Sequence, residues 1–210
     1  MPVPPPHNVS RETWARLEEF LVALRQWNRS IQLVGPGQLH DLSIRAVQEA
    51  DLIHAYLGPC PNGVWVDLGS GGGLPAIPLA ILHPEAGLRL TMIESDGRKA
   101  AFLRRAARLA GVDARVIAER IEAVPPLGAD VITARALAPL AVLAGLARRH
   151  LAPGGRLLAL KGRRVEEEVA AARRDWRAEI ATYPGPGESV LVEMSEIEPN
   201  GDGDGGAGGA

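Results

Sequence analysis

The sequence holds a single cysteine, Cys60, so no intrachain disulfide can form and a reducing compartment is expected. Aromatic residues make up only 4%, which leaves few rings for stacking on nucleic-acid bases. Lysine is almost missing: of the 23 basic residues only Lys99 and Lys161 are not arginine. Genome composition explains that bias, although arginine also suits phosphate recognition. No apolar run approaches the ~18 residues of a membrane helix. The start, MPVPPPHNVS, has no apolar signal core, so a soluble, cytoplasmic protein is expected. What is present is ordinary globular usage, with 46% hydrophobic and 23% charged residues. That usage excludes a disordered chain, a coiled coil and a collagen-like repeat.

The formal net charge of −2 argues, taken whole, against a basic nucleic-acid binder. The average hides an asymmetry. Residues 196–210 contain Glu196, Glu198, Asp202 and Asp204 and no base; taking these four from 25 acids leaves 21 against 23 bases, a body of +2.

At 210 residues one domain with a small appendage is expected. Residues 1–9 are proline-rich and read as a flexible start. Ser10 is a candidate N-cap for a helix whose Trp14, Leu17, Phe20, Leu21, Leu24 and Trp27 recur at helical spacing. After Gly35-Pro36-Gly37 a second helix runs from Leu39 to about Tyr56, which makes 10–60 a helical extension. From 61 to 196 short apolar runs alternate with helical segments. The runs are 64–68, 88–93, 114–118, 130–134 and 156–160; the helices are about 75–83, 97–110, 137–151 and 164–178. This alternation predicts an α/β fold with a parallel sheet covered on both faces. Gly154-Gly155 reads as a tight helix-to-strand connection, and 179–183 with 189–195 as a closing antiparallel pair, giving seven strands. The Gly/Asp-rich stretch 197–210 reads as a disordered tail.

The most informative stretch is Val64-Trp65-Val66-Asp67-Leu68-Gly69-Ser70-Gly71-Gly72-Gly73-Leu74-Pro75, an apolar strand running into a glycine turn and a helix. Glycines at 69, 71 and 73 allow positive φ and close approach of a ligand, and Pro75 suits the first helical position. A dinucleotide fingerprint requires Gly-x-Gly-x-x-Gly, and position 74 is leucine, so an NAD(P)-dependent oxidoreductase is disfavoured. Asp67-x-Gly69-x-Gly71-x-Gly73 instead resembles the first motif of S-adenosylmethionine (SAM)-dependent methyltransferases. Glu94 ends the second strand 21 residues after Gly73, close to the ~20 expected for an acid that binds ribose hydroxyls.

Gly-Ser-Gly-Gly-Gly-Leu-Pro-Ala-Ile-Pro-Leu-Ala-Ile at 69–81 resembles the RsmG family, also called GidB or glucose-inhibited division protein B, bacterial methyltransferases for guanine N7 in 16S ribosomal RNA. Trp27-Asn28 with Leu33-Val34, Glu94 to Leu103, Arg120-Ile121-Glu122, Thr133-Ala134-Arg135-Ala136 and Leu160-Lys161-Gly162 resemble further boxes of that family, in order, over about 15–195. Gln32 stands where the family often has Asn, and Val190–Met194 lacks the base often seen there. The resemblance implies a Rossmann-like class I methyltransferase fold and SAM as cofactor. It places SAM contacts at Gly69, Leu74, Ile121, Glu122 and Arg135; Asp67, Gly71, Gly73 and Glu94 join them from the loop argument.

Guanine N7 carries a free lone pair, so its methylation needs alignment rather than a general base. The sequence agrees: no Asn/Asp-Pro-Pro-aromatic box follows strand four, Cys60 precedes strand one, and the five histidines are scattered, so no metal is expected. Cys60 is expected to be a structural thiol. Arg135 has two readings, positioning of ligand, or a salt bridge to Asp130 or to the helix-bearing layer. Lys161 likewise reads as a positioning or phosphate contact or as a solvated lysine. Seven bases lie in 98–120 (Arg98, Lys99, Arg104, Arg105, Arg108, Arg115, Arg120) and seven in 135–164 (Arg135, Arg148, Arg149, Arg156, Lys161, Arg163, Arg164). Such clusters fit a phosphate footprint, with Arg98, Lys99, Arg163 and Arg164 as RNA-binding candidates and ordinary solvated helix faces as the alternative. Glu166-Glu167-Glu168 is expected on an exposed face. The partner implied is 16S rRNA or the small ribosomal subunit, bound by a monomer. The competing functions are a small-molecule methyltransferase and an inert RNA-binding ribosome-assembly factor.

Overall fold

The computed structural model describes residues 9–35, 37, 39–57, 63–87 and 89–200. Residues 1–8, the tail beyond 200 and Cys60 lie outside them, so the expectations for these segments are not addressed.

Helix α1 (Arg11–Trp27) starts at Ser10, whose hydroxyl accepts the Thr13 N–H and satisfies one of the free donors of the first turn. Its buried face is Trp14, Leu17, Phe20, Leu21 and Leu24. Helix α2 (Leu42–Leu57) buries Leu42, Ala46, Ala50, Ile53 and Leu57. There follow β1 (Val64–Leu68), α3 (Ala76–Leu82), β2 (Arg89–Ile93), α4 (Gly97–Leu109), β3 (Ala114–Ile117), β4 (Ala129–Arg135), α5 (Leu140–His150), β5 (Leu151–Lys161), α6 (Val165–Asp175), β6 (Trp176–Pro184) and β7 (Val190–Pro199). The seven strands form one sheet in the order β3-β2-β1-β4-β5-β7-β6. β1 to β5 are parallel, and β7 runs antiparallel between β5 and β6. The mostly parallel seven-stranded sheet is therefore present.

Side chains alternate across the sheet, as a period of two requires. Trp65, Met92, Val131 and Leu158 face one core with α1 to α4. Val66, Ile93, Ile132 and Leu157 face the other with α5 and α6. The helical extension packs onto this core: Trp14 and Leu17 share it with Phe102 and Leu103, and Trp27 meets Phe102 with ring centroids 5.6 Å apart. Arg16 also donates from Nε to the Ala110 carbonyl at 2.7 Å.

Several boundaries differ from the expectation. β5 begins at Leu151, which pairs with Ala129; the register then jumps to Arg156 opposite Val131, so Gly154-Gly155 lies in an irregularity within the strand. α5 starts at Leu140 rather than 137, after Ala136 at φ 51°. α6 gives way to β6 at Trp176, whose indole N–H bonds the Ala141 carbonyl. β7 continues to Pro199 past the expected domain end, because Ile197 is buried and Glu198 pairs with Arg148 at 2.8 Å. Pro75 stands just before α3, not in it; Pro78 occupies the first turn, where a missing N–H costs little.

Candidate cofactor and acceptor site

The carboxyl ends of parallel strands leave a crevice where loops diverge, the usual ligand position in open α/β sheets. Here it is a cavity of about 470 Å³, within the range of small-ligand sites. Its floor is the loop after β1, with Gly69 at φ 63° and Gly71 at φ 49°. Ser70 donates its N–H to the Ile93 carbonyl at 3.1 Å, which ties the loop to β2. Gly69, Gly71, Leu74, Glu94, Ile121, Glu122 and Arg135 all line the cavity.

Glu94 holds the loop as well as facing the cavity. Its Oε2 accepts the Gly71 N–H at 2.9 Å and its Oε1 the Asp96 N–H at 2.9 Å. A carboxylate has about four acceptor positions, so capacity for ligand hydroxyls remains.

Asp67 and Gly73 lie behind the loop rather than on the cavity wall. Asp67 Oδ1 accepts the Thr133 hydroxyl at 2.6 Å, and Thr133 in turn accepts the Trp65 indole N–H at 2.9 Å. Oδ2 is buried without a partner. Burial pushes the Asp67 carboxyl up to about 7; the Thr133 hydroxyl opposes the shift and the nearby Glu94 charge adds to it. Gly73, at φ 77°, packs against α3: a Cβ there would stand 2.7 Å from Ile77 Cδ1.

One wall comes from the N-terminal segment. Asn28 Oδ1 accepts the N–H groups of Leu33 and Val34, at 2.8 and 2.9 Å, and so presents both residues to the cavity. The Leu33 carbonyl would lie 3.2 Å from a Cβ at Gly72, which explains that glycine. The sequence signal was Asn28, a residue able to fold the chain back on itself.

A second cavity of about 640 Å³ adjoins the first, and Arg135 and Ala136 line both. Arg135 makes its salt bridge to the helix layer rather than to Asp130. Its Nε meets Glu49 Oε2 at 3.1 Å, its side chain is 10% exposed, and Asp130 instead accepts the Val64 N–H at 2.7 Å. Arg45 meets the other oxygen of Glu49 at 3.1 Å. Glu49 was missed in the sequence; its signal is an acid on the apolar face of α2, between Ala46 and Ile53.

Lys161 is no solvated phosphate contact. Its ammonium donates to the Ala138 carbonyl at 2.7 Å and pairs with Glu168 at 2.6 Å. Glu168 also accepts the Leu140 N–H, so this member of the acidic run points inward. Arg163 pairs with Glu188, and Arg164 is exposed beside the start of α6, away from both cavities. Of the other bases in 135–164, Arg148 is held by Glu198 and Arg156 by Glu193, while the exposed Arg149 reaches only the Val124 carbonyl and, like Arg164, has no carboxylate partner among the described residues. The 98–120 cluster behaves otherwise. Lys99 and Arg120 line the cofactor cavity and Arg98 sits 3.7 Å from Asp96. Arg105, Arg108 and Arg115 are exposed, and among the described residues no carboxylate pairs with them.

The histidines are not all scattered. His54, His83 and Glu85 bring donor atoms within 4.8 Å of one another, away from the cavities. The two imidazoles stack at 3.8 Å with planes 8° apart, so their in-plane lone pairs do not converge on one point. His83 is instead bonded by Asp51 at 2.8 Å and Glu85 at 3.2 Å.

Comparison with known proteins agrees with this geometry. A family profile described as "GidB: rRNA small subunit methyltransferase G" matches residues 13–183. A Ribosomal RNA small subunit methyltransferase G of Cereibacter sphaeroides is 46% identical over 179 residues, covering 84% of this chain and 86% of the relative. One from Ruegeria sp. is 44% identical over 196 residues, covering 91% and 94%. Among solved structures, a SAM-dependent methyltransferase from Aquifex aeolicus matches with TM-score 0.58 at 12% identity, over 83% of this chain and 97% of that one. A ribosomal protein L11 methylase from Lactobacillus delbrueckii subsp. bulgaricus gives 0.57 at 19%, over 77% and 83%. These two share the fold. With a profile match over most of its length and relatives above 40% identity, the chain belongs to the rRNA small subunit methyltransferase G (GidB) family.

Proposed function

We propose that this protein methylates N7 of a guanine in 16S ribosomal RNA, with SAM as donor, in the cytoplasm and as a monomer. The observation that carries the reading is the pair of cavities meeting at Arg135 and Ala136: one is floored by the glycine loop and Glu94, and the other is open to an acceptor. The loop fits the donor because its positive-φ glycines bring bare backbone to the cavity surface. SAM supplies an electrophilic methyl on a sulfonium. Glu94 accepts hydrogen bonds from ribose hydroxyls, while Leu74, Ile121 and Val142 offer apolar contact. Gly69 and Gly71 let the methionine portion lie against the backbone.

Guanine N7 attacks with its own lone pair, so no proton has to be removed and no base is required. The protein supplies alignment, an effect worth several kcal/mol when reactants are held at near-attack distance. Arg135, fixed by Glu49, stands at the junction and positions donor and base relative to each other. Lys161 acts one step back, holding the Ala138 carbonyl and Glu168 and so the shape of the 136–140 turn. Lys99 and Arg120 on the cavity wall, with Arg98 at the start of α4, offer phosphate contacts there, and the unpaired arginines further along α4 and on β3 extend the basic surface away from the cavity.

The test is methyl transfer from labelled SAM to naked 16S RNA, to 30S particles and to a small-molecule pool. Label recovered as 7-methylguanine in RNA is expected. Label confined to small molecules favours a small-molecule methyltransferase, and RNA binding without any transfer favours an assembly factor; either overturns the reading.

A further inference from the structure

Four cations line the second cavity against four carboxylates: Arg45 and Arg135 share Glu49, Lys161 has Glu168, Arg163 has Glu188, and Asp41 supplies the fourth acid, so the lining carries no formal net charge. A phosphate pocket would leave cations free. This arrangement suits a neutral group that acquires positive charge.

N7 methylation moves a charge in that way. The sulfonium is cationic before transfer and neutral after it; the base is neutral before and cationic after. One positive charge leaves the cofactor cavity and arrives in the second. Carboxylates on the cofactor side, such as Glu94 and Glu122, stabilise the starting arrangement, whereas a carboxylate on the acceptor side stabilises the arrangement reached in the transition state. Glu49 lines only the second cavity, and its side chain is 2% exposed. Water does not screen it there, so its field acts at greater strength than a surface acid's.

Resting on the guanine-N7 reading above, we propose that Glu49 is an electrostatic positioning residue for methyl transfer: its charge cancels one of the two positive charges of Arg45 and Arg135 and so lowers the cost of the cation that develops on the acceptor base. Glu49→Gln keeps the shape and leaves two arginines uncompensated beside that cation. Single-turnover methylation of the preferred RNA acceptor falls on the order of 100-fold, the scale of losing one preorganised electrostatic contact. SAM affinity by calorimetry falls far less than the rate, because the amide oxygen of Glu49→Gln can still accept from Arg135 and the carboxylate itself is not on the cofactor wall. Glu49→Asp keeps the charge and recovers most of the rate. Wild-type protein binds the N7-methylated acceptor RNA more tightly than the unmethylated RNA, and Glu49→Gln loses that preference.

A Gln variant with the wild-type rate overturns the proposal. So do Gln and Asp variants that fall equally, which would make Glu49 a packing residue. Should the Gln variant fail to fold, the wild-type preference decides: equal binding of methylated and unmethylated RNA overturns the proposal. Wild-type protein that yields no 7-methylguanine overturns the underlying reading as well, and is distinguished by failing before any variant is compared.

Discussion

Asp67 is a carboxyl group enclosed by β1, β4 and the glycine loop, with one oxygen bonded and the other unpartnered. Burial raises its pKa from 3.8 to about 7. The folded state therefore holds a proton that the unfolded chain has released, and stability falls as pH rises between these values. Asp67→Asn cannot ionise. Its stability relative to wild type is expected to improve between pH 5 and pH 8 by on the order of a few kcal/mol, read from unfolding midpoints at the two pH values. Gly71 makes a different prediction. A Cβ there meets nothing nearer than 3.7 Å, so Gly71→Val suffers from its φ of 49° and from methyl groups entering the cavity rather than from a clash. SAM binding by calorimetry should be lost while the circular dichroism spectrum is kept; retained affinity refutes the loop assignment. These residues differ in how far their place could be read from sequence. The glycine spacing marked the loop, because positive φ restricts residue choice. Nothing in the spacing separates Asp67 and Gly73, which support the loop, from Gly69 and Gly71, which line the cavity.

At the scale of elements, periodicity carried most of the fold. The β1, β2 and β4 runs are apolar because both faces are covered, and α1 shows its buried stripe from Trp14 to Leu24. The start of β5 was not legible, since Ala152-Pro153-Gly154-Gly155 carries turn residues inside a paired strand. The part of α2 in the site was only half legible: an acid on the apolar face marks Glu49 as unusual, but its partner Arg135 comes from a strand 86 positions later. α2 is also fastened at its other end. His83 follows α3 and reaches Asp51 of α2 and Glu85 through its two nitrogens, which requires the doubly protonated ring. Burial alone lowers the His83 pKa, but the hydrogen bonds and charges of Asp51 and Glu85 together raise it. The Glu85 carboxyl is lowered despite its own burial, by backbone and His83 contacts. The clamp's stability is thus complete between the ordinary Glu85 value of 4.5 and the ordinary histidine value of 6.5, is lost as pH rises through the raised histidine value, and declines in acid as pH falls from 4.5 through the lowered Glu85 value. The destabilisation caused by His83→Gln is expected to be larger at pH 5.5 than at pH 8.5 in urea unfolding.

For the whole molecule, the formal charge of −2 says little about what the surface attracts. Ion pairs neutralise Arg135, Arg148, Arg156, Lys161 and Arg163 near β4 and β5, whereas Arg105, Arg108 and Arg115 on α4 and β3 are exposed and, among the described residues, have no carboxylate partner. Replacing Arg105, Arg108 and Arg115 with Glu is expected to weaken RNA binding at least 10-fold and to flatten the plot of log affinity against log salt by about two to three units of slope, at unchanged SAM affinity. An unaltered slope would place the RNA elsewhere.

The position of β7 constrains how the molecule is made. It fills the gap between β5 and β6, two strands synthesised before it. Until residues 190–199 leave the ribosome, the apolar edge of β5 has no neighbour and β6 has nothing to pair with. The nascent chain can pair its first five strands early, yet it carries an open, sticky border until translation reaches β7. A transcript broken before codon 190 therefore yields a polypeptide suited to chaperones and proteases rather than a smaller enzyme.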